Sequence, residues 1–343
     1  MTNENTTVLV TGATGHLGGH SVARLLGEGY RVRVTIRHPD QEREVVARVR
    51  RAGAEPDGRL HFLIAELTSD GNWDRAAAGV RYVWHHASPF PFTPPRDDDE
   101  VIVPARDGAL RVLAAARAAG VERVVMTSSY AAVGYTVKPD SRYDESDWTD
   151  PAGDIPAYIR SKTVAERAAW DYVHDHGGPE LAVVNPTGIF GPLLGDRLSA
   201  STGLVKAFLD GSMPVVPRMY FGVVDVRDVV DLHLRAMTGP GAAGRRFIGV
   251  GGPAISFFEM GQILARHLPA FAARVPATEL TDEQVREAAR TEPTLREAAA
   301  LRGQIPVISN ERARRVLGWR PRDVATTIAD TADSLLRLGI VRP

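Results

Sequence analysis

The chain has no cysteine. Disulfides, thiolate metal sites and a cysteine nucleophile are therefore excluded, and a reducing, cytoplasmic setting is the expectation. Net charge is also missing, because 41 Lys and Arg stand against 42 Asp and Glu in 343 residues, a balance of −1. No global field favours nucleic acid or an anionic membrane, and neither is expected as a partner. Long apolar runs are absent too: the helical stretch "LRVLAAARAAGV" is broken by Arg111 and Arg117, well short of the roughly 20 residues needed to span a bilayer. The polar opening "MTNENTT" is not expected to act as a signal peptide. There is no internal repeat of solenoid period. What is present, 44% hydrophobic and 24% charged residues, suits one large or two modest globular domains.

From residue 8 to about 187, short β-branched runs alternate with longer helical patterns. The expected strands are "VLV" (8–10), "RVRVTIR" (31–37), "LHFLIAEL" (60–67), "YVWHHAS" (82–88), "RVVMTSS" (123–129) and "LAVVNPT" (181–187). Helices are expected near 17–28, 40–52, 70–79, 101–119 and 157–176, each closing at or near a glycine: Gly29, Gly53, Gly79, Gly120 and Gly177. Such alternation predicts a Rossmann-type α/β fold, a doubly wound parallel sheet covered on both faces. After Pro186, glycine and proline crowd "NPTGIFGPLLGD" and the periodicity weakens. The expected division is a sheet domain over 1–187, rejoined by about 221–252, and a smaller, mostly C-terminal lobe from 188–220 and 253–343.

"TGATGHLGGH" follows the first strand directly, with Gly12, Gly15 and Gly18 spaced G-x-x-G-x-x-G. Glycines there let the backbone turn sharply and bring a helix N-terminus against a pyrophosphate, so Gly12, Thr14, Gly15, His16, Leu17 and Gly18 are candidate dinucleotide-binding residues. A tight turn alone would explain an isolated triplet. The strand before it and the helix after it favour the dinucleotide. At the end of the second strand, where an acidic residue would mark NAD, stands Arg37, which pairs naturally with a 2′-phosphate. NADP(H) is therefore favoured over NAD(H), with Arg43 as a second possible contact. The structural alternative is that Arg31, Arg33, Thr35 and Arg37 form the polar face of an alternating strand.

Other candidates cluster at the same sheet edge. Glu66 and Leu67 would border the adenine, Ala87, Ser88 and Pro89 the middle of the cofactor, and Thr127, Ser128 and Ser129 end strand five. In "AYIRSKTVAERAAW" the inward stripe runs Tyr158, Lys162, Ala165, Ala169, Tyr172, with Arg160, Arg167, Asp171 and His174 on the other side. A phenol and an ammonium thus begin a face that should be apolar. One account is a snorkelling lysine paired with Glu166. The other is a cofactor cleft.

The segments "TGATGHLG", "HHASPF", "ERVVMTSSYAAV", "DESDW", "YIRSK", "NPTGIFGP", "VDVRDVVDLHL" and "RRVLGWRP" resemble the extended short-chain dehydrogenase/reductase family. The likeness is to the branch holding dihydroflavonol reductases, cinnamoyl-CoA reductases and NADPH-dependent aldehyde/ketone (methylglyoxal-type) reductases, and it covers nearly the whole chain. It implies Ser129 rather than Ser128, with Tyr158 and Lys162, as the catalytic set. It also implies that Pro186, Thr187, Gly188 and Ile189 lie beside the nicotinamide. The implied activity is reduction of a small-molecule aldehyde or ketone to an alcohol, with Tyr158 as proton donor, Lys162 lowering its pKa from near ~10 and holding the ribose, and Ser129 stabilising the carbonyl oxygen.

Aromatic residues flank these segments: Phe90, Phe92, Tyr130, Phe190, Tyr220 and Phe221. Phe90, Tyr130 and Tyr220, with Ser129, are the substrate-contact candidates, and about half the aromatic set is expected to be core. Rival readings are a nucleotide-sugar epimerase or dehydratase, a steroid-type dehydrogenase, and a non-catalytic NADP-sensing regulator. Monomer and homodimer are both compatible with the family.

Overall fold

Seven short strands rich in valine and isoleucine carry the chain: β1 (Thr7–Thr11), β2 (Arg31–Ile36), β3 (Leu60–Ile64), β4 (Tyr82–His85), β5 (Arg123–Thr127), β6 (Glu180–Pro186) and β7 (Arg245–Gly249). In this computed structural model, which describes residues 3–89, 95–291, 295 and 303–342, they pair in parallel in the order β7-β6-β5-β4-β1-β2-β3. The order reverses between β1 and β4, which opens a crevice at the carboxyl ends of those two strands.

Side-chain alternation divides the core. Val8, Val10, Val32, Val34, Trp84 and Val125 pack on one face, while Leu9, Val83, Val124, Met126 and Val183 pack on the other. A period of two does this, because successive Cβ atoms leave opposite sides of a strand. The first face is covered by α1 (His16–Gly27), α2 (Gln41–Arg51) and a later helix, Val226–Thr238; the second by α3 (Trp73–Ala77), α4 (Asp99–Ala118) and α5 (Ala157–His176). Each fully buried aliphatic side chain contributes roughly 1.5–3 kcal/mol. A third cluster, including Phe190, Phe208, Met260, Leu264, Ile328 and Leu335, lies beyond the sheet among the later helices.

Helix boundaries follow local chemistry. Gly29, Gly53, Gly79, Gly120 and Gly177 follow the five helices with φ between +63° and +87°, a conformation in which only glycine is unstrained. Asp98 precedes α4 without a side-chain capping hydrogen bond, and Asp99 and Glu100 stand in the first turn, where negative charge complements the helix dipole.

Three strands end earlier than expected. Strand β3 stops at Ile64, where its partner β2 ends at Ile36; β4 stops at His85 beside β1, which ends at Thr11, where Gly12 takes φ +73°; and β5 stops at Thr127, after which the Ser128 N–H makes a last bond to the Val184 carbonyl. Glu66, Leu67, Ala87, Ser88, Pro89, Ser128 and Ser129 therefore sit on loops just past the strand ends. Of the 221–252 stretch, Arg245–Gly249 enters the large sheet beside β6, whereas Val223–Asp225 pairs with Gly188–Phe190 outside it. Among the described residues, no helix is long and apolar enough to cross a membrane.

Candidate active site

At the crevice, Thr11 ties the ends of β1 and β4 together. Its hydroxyl accepts from the Ala87 backbone N–H at 3.0 Å and bonds His85 Nδ1 at 2.9 Å. The chain then turns through Gly12, where a Cβ would stand 2.9 Å from the Ala87 nitrogen. At Gly18 a Cβ would stand 2.1 Å from the Gly12 carbonyl oxygen, so α1 packs on the turn only with glycine there. Gly15 caps α1 without a side-chain hydrogen bond. The leading N–H groups of the helix are thus left for an anionic group, a cradle that side chains would fill. His16 adds no charge: burial, then His20, lowers its pKa to about 3, so the imidazole is neutral at pH 7.

Arg37 lies exposed just beyond β2, its backbone N–H bonded to Gln41 Oε1 at 2.8 Å. Its side chain and Gln41 both border the central cavity, whereas Arg43 is exposed on α2 and does not.

The opposite end of the crevice is made by β5, β6 and α5. Ser128 and Ser129 are adjacent in sequence but face different partners. Ser128 is buried, and its hydroxyl donates to Glu166 at 2.5 Å. The Ser129 hydroxyl accepts from the Ala131 N–H at 3.1 Å and bonds the Tyr158 phenol. Burial raises the Tyr158 pKa, and the Ser129 bond pulls it the other way. The net shift is upward, opposite to the lowering that a nearby lysine leads one to expect, and it keeps the phenol protonated. Lys162 Nζ lies 5.3 Å from the centre of the Tyr158 ring. Burial lowers its pKa to about 8, which still leaves most of it cationic at pH 7.

Of the expected inward stripe of α5, Lys162, Ala165 and Ala169 are buried and Tyr158 and Tyr172 half-buried; of the outward set, Arg167, Asp171 and His174 are exposed, whereas Arg160 is half-buried and donates to the Pro151 and Gly153 carbonyls. Glu166 does not pair with Lys162. It is fully buried, and its carboxylate is shared by Ser128, Asn185, Trp170 and Arg246. No local pattern foretells that, since Arg246 is 80 residues away.

Thr127 borders the cavity, but its hydroxyl sits between His86 Nδ1 at 2.6 Å and His233 Nε2 at 2.7 Å. Because His233 Nδ1 meets the Val229 carbonyl at 2.8 Å it must carry the proton. Its Nε2 then accepts from Thr127, which accepts in turn from His86. Burial lowers the pKa values of both imidazoles, so both rings are neutral.

One cavity of about 930 Å³ runs between the two ends. It is bordered by Gly12, Thr14, Gly15, His16, Leu17, Gly18, Arg37, Glu66, Leu67, Ala87, Ser88 and Pro89 on one side. On the other stand Thr127, Ser129, Tyr130, Tyr158, Lys162, Pro186, Thr187, Gly188, Ile189 and Tyr220. Phe90 and Phe92 lie outside the described residues. Phe190 is core, 1% exposed, while Phe221 reaches the cavity. Tyr130 places a buried hydroxyl, without a hydrogen-bond partner, beside Gly134, and burial raises its pKa strongly. Tyr135, Tyr143 and Met219 also border this end. Tyr143 lies on a two-residue strand paired with Val307–Ile308 and the other two on irregular segments, none long enough for a period to announce them. Among the described residues, no group of three His, Cys, Asp or Glu is placed to hold a metal ion.

The sequence model of the NAD dependent epimerase/dehydratase family matches residues 8–249. A cinnamoyl-CoA reductase of Medicago truncatula is 36% identical over 252 residues, covering 71% of this chain and 76% of its own. A ketoreductase of Aspergillus niger is 29% identical over 350 residues, covering 96% and 97%. Among solved structures, yeast methylglyoxal/isovaleraldehyde reductase Gre2 complexed with NADPH superposes with a TM-score of 0.80 at 26% identity, over 97% of this chain and 99% of that one.

Proposed function

Since this chain belongs to the NAD dependent epimerase/dehydratase family, and within it to the extended short-chain reductases related to dihydroflavonol and cinnamoyl-CoA reductases, we propose that it is an NADPH-dependent carbonyl reductase. The observation that carries the reading is the Ser129–Tyr158 hydrogen bond, with Lys162 beside it, at one end of a cavity whose other end is the glycine cradle. The cradle fits a dinucleotide because Gly12 lets the turn close on the Ala87 backbone and Gly18 lets the first helix close on the turn, which leaves the helix start bordering the cavity. Arg37 would meet the 2′-phosphate, Glu66 and Leu67 the adenine, and Ala87 to Pro89 the middle of the cofactor. Pro186 to Ile189 would flank the nicotinamide.

Bound NADPH supplies the hydride. As charge grows on the carbonyl oxygen, Tyr158 gives it a proton, which its raised pKa keeps available at neutral pH. Ser129 holds the same oxygen. Its hydroxyl accepts from the Ala131 N–H and meets the Tyr158 phenol, which aims the pair at one point where a substrate oxygen would take the serine proton. Lys162 keeps a positive charge against the ring of Tyr158 and stabilises the phenolate left behind. The aromatic wall of Tyr130, Tyr135, Tyr143, Tyr220 and Phe221 suits an apolar aldehyde or ketone.

The test is NADPH absorbance against a panel of aldehydes, diketones and aryl ketones, run beside Tyr158→Phe. Net NADPH consumption by the wild type and its near loss in the variant are the expected results. Indistinguishable rates would overturn the assignment of Tyr158. Turnover of a nucleotide sugar without NADPH consumption would replace a reductase with an epimerase.

A further inference from the structure

Glu166 lies two turns along α5 from Tyr158 and one from Lys162, beyond the residues that border the cavity. It is fully buried, and so is Asn185, at the end of β6. The Asn185 amide nitrogen donates twice: to Glu166 Oε2 at 2.7 Å and to the Ser129 carbonyl at 3.1 Å. Its amide oxygen has no hydrogen-bond partner. The orientation of that amide therefore rests entirely on the two acceptors facing its nitrogen, one of which is the backbone of Ser129. On the other side, the same Glu166 oxygen receives the Ser128 hydroxyl at 2.5 Å. Glu166 thus grips the chain just before Ser129 directly and Ser129 itself through one amide.

We propose that Glu166, acting through Asn185, is a positioning residue for carbonyl reduction, fixing Ser129 against Tyr158. Both partners of the catalytic hydrogen bond are then referenced to one rigid helix: Tyr158 is carried on α5, and Ser129 is clamped to α5. A helix sets that separation far more tightly than two loops would. Arg246 makes the clamp possible by neutralising the buried carboxylate, with Nε 2.6 Å from Glu166 Oε1. It also holds the segment after Ser129, donating to the carbonyls of Ala132, Glu145 and Asp147. Serine, catalytic helix and substrate-side loop therefore meet at one ion pair.

The inference rests on the assignment of Ser129 and Tyr158 above, and a double-mutant cycle separates the two. Asn185→Ala removes the bridge and leaves the Glu166–Arg246 pair intact, so the fold is retained even where Glu166→Gln fails to accumulate. With methylglyoxal, or the fastest other substrate of the carbonyl panel, kcat is expected to fall about 10- to 100-fold in Asn185→Ala. That corresponds to about 1.4–2.7 kcal/mol of transition-state stabilisation. The NADPH dissociation constant, read by fluorescence titration, should stay within about twofold of wild type. In a Ser129→Ala background, Asn185→Ala should cost nothing further, because there is no hydroxyl left to position. A merely structural role gives the opposite result, equal losses in both backgrounds, and overturns the proposal. An unchanged kcat in Asn185→Ala overturns it as well. Should Ser129→Ala alone leave kcat intact, the role given to Ser129 falls, and the positioning role falls with it.

Discussion

The two ends of the cavity are built on opposite plans. At the cradle end the site is made by leaving atoms out: Gly12 turns through φ +73°, Gly18 lets α1 touch the turn, and Gly15 leaves the helix start unpaired by side chains. At the carbonyl end it is made by side chains, and behind these stands a buried tier of Glu166, Asn185, Ser128 and Arg246. Backbone geometry is enough to receive a pyrophosphate, which presents the same charged oxygens whatever substrate is bound. Proton transfer needs one phenol at one distance, and that takes a supporting shell.

The sharpest way to break the comparison is at Tyr158. Tyr158→Phe should lower kcat by about 10²–10⁴-fold, the usual worth of a positioned acid, while NADPH titration stays close to wild type. The reverse pattern is expected at the cradle. Gly12→Ala forces a left-handed conformation costing about 1–2 kcal/mol and crowds the Ala87 nitrogen. Weaker NADPH binding by about 10- to 100-fold, with kcat at saturating cofactor largely kept, is the result to look for by calorimetry. Next in size is Arg37→Asp. Losing a charge-assisted contact of about 1.5–3 kcal/mol should weaken NADPH by roughly 10- to 100-fold and bring NADH level with it or ahead. Unchanged NADPH affinity would remove Arg37 from the site.

The smallest effect is in pH. Burial holds Lys162 near 8 against 10.5 when unburied. Its ammonium is lost above pH 8, so kcat should decline there. Stability moves the other way: below pH 8 the folded protein must bury a charge, and that penalty disappears as pH rises from about 8 towards 10.5. Thermal melts of the cofactor-free wild type and Lys162→Met across pH 7–10 should converge as pH rises. Parallel curves would mean that Lys162 titrates elsewhere.

How much of this was legible beforehand follows from the range of each interaction. The parallel sheet was readable from valine-rich runs separated by glycine-closed helices, since both signals are local. So were the glycine triplet and the Tyr158-x-x-x-Lys162 stripe, each complete within one turn or helix. Strands β3, β4 and β5 were expected to reach further than they do, because a strand's end is set by its neighbours in the sheet and not by its own residues. Tyr135 and Tyr143 were missed because one lies on a loop and the other on a two-residue strand, too short to show a period. Glu166 entered only through the alternative of a snorkelling lysine, as the nearest opposite charge to Lys162 on the helix. Its true counter-ion arrives from a strand 80 residues on, and no spacing within α5 contains that fact.

Gly134 gives the last contrast, because it borders the substrate end without a side chain. The Tyr130 hydroxyl lies 2.0 Å from where a Cβ of residue 134 would be, so the tyrosine is parked in the berth of an absent side chain. Any other residue at 134 would evict the ring towards the cavity it borders. The width of the chamber thus depends on a wall residue that has no side chain, and a single methyl group there is enough to narrow it.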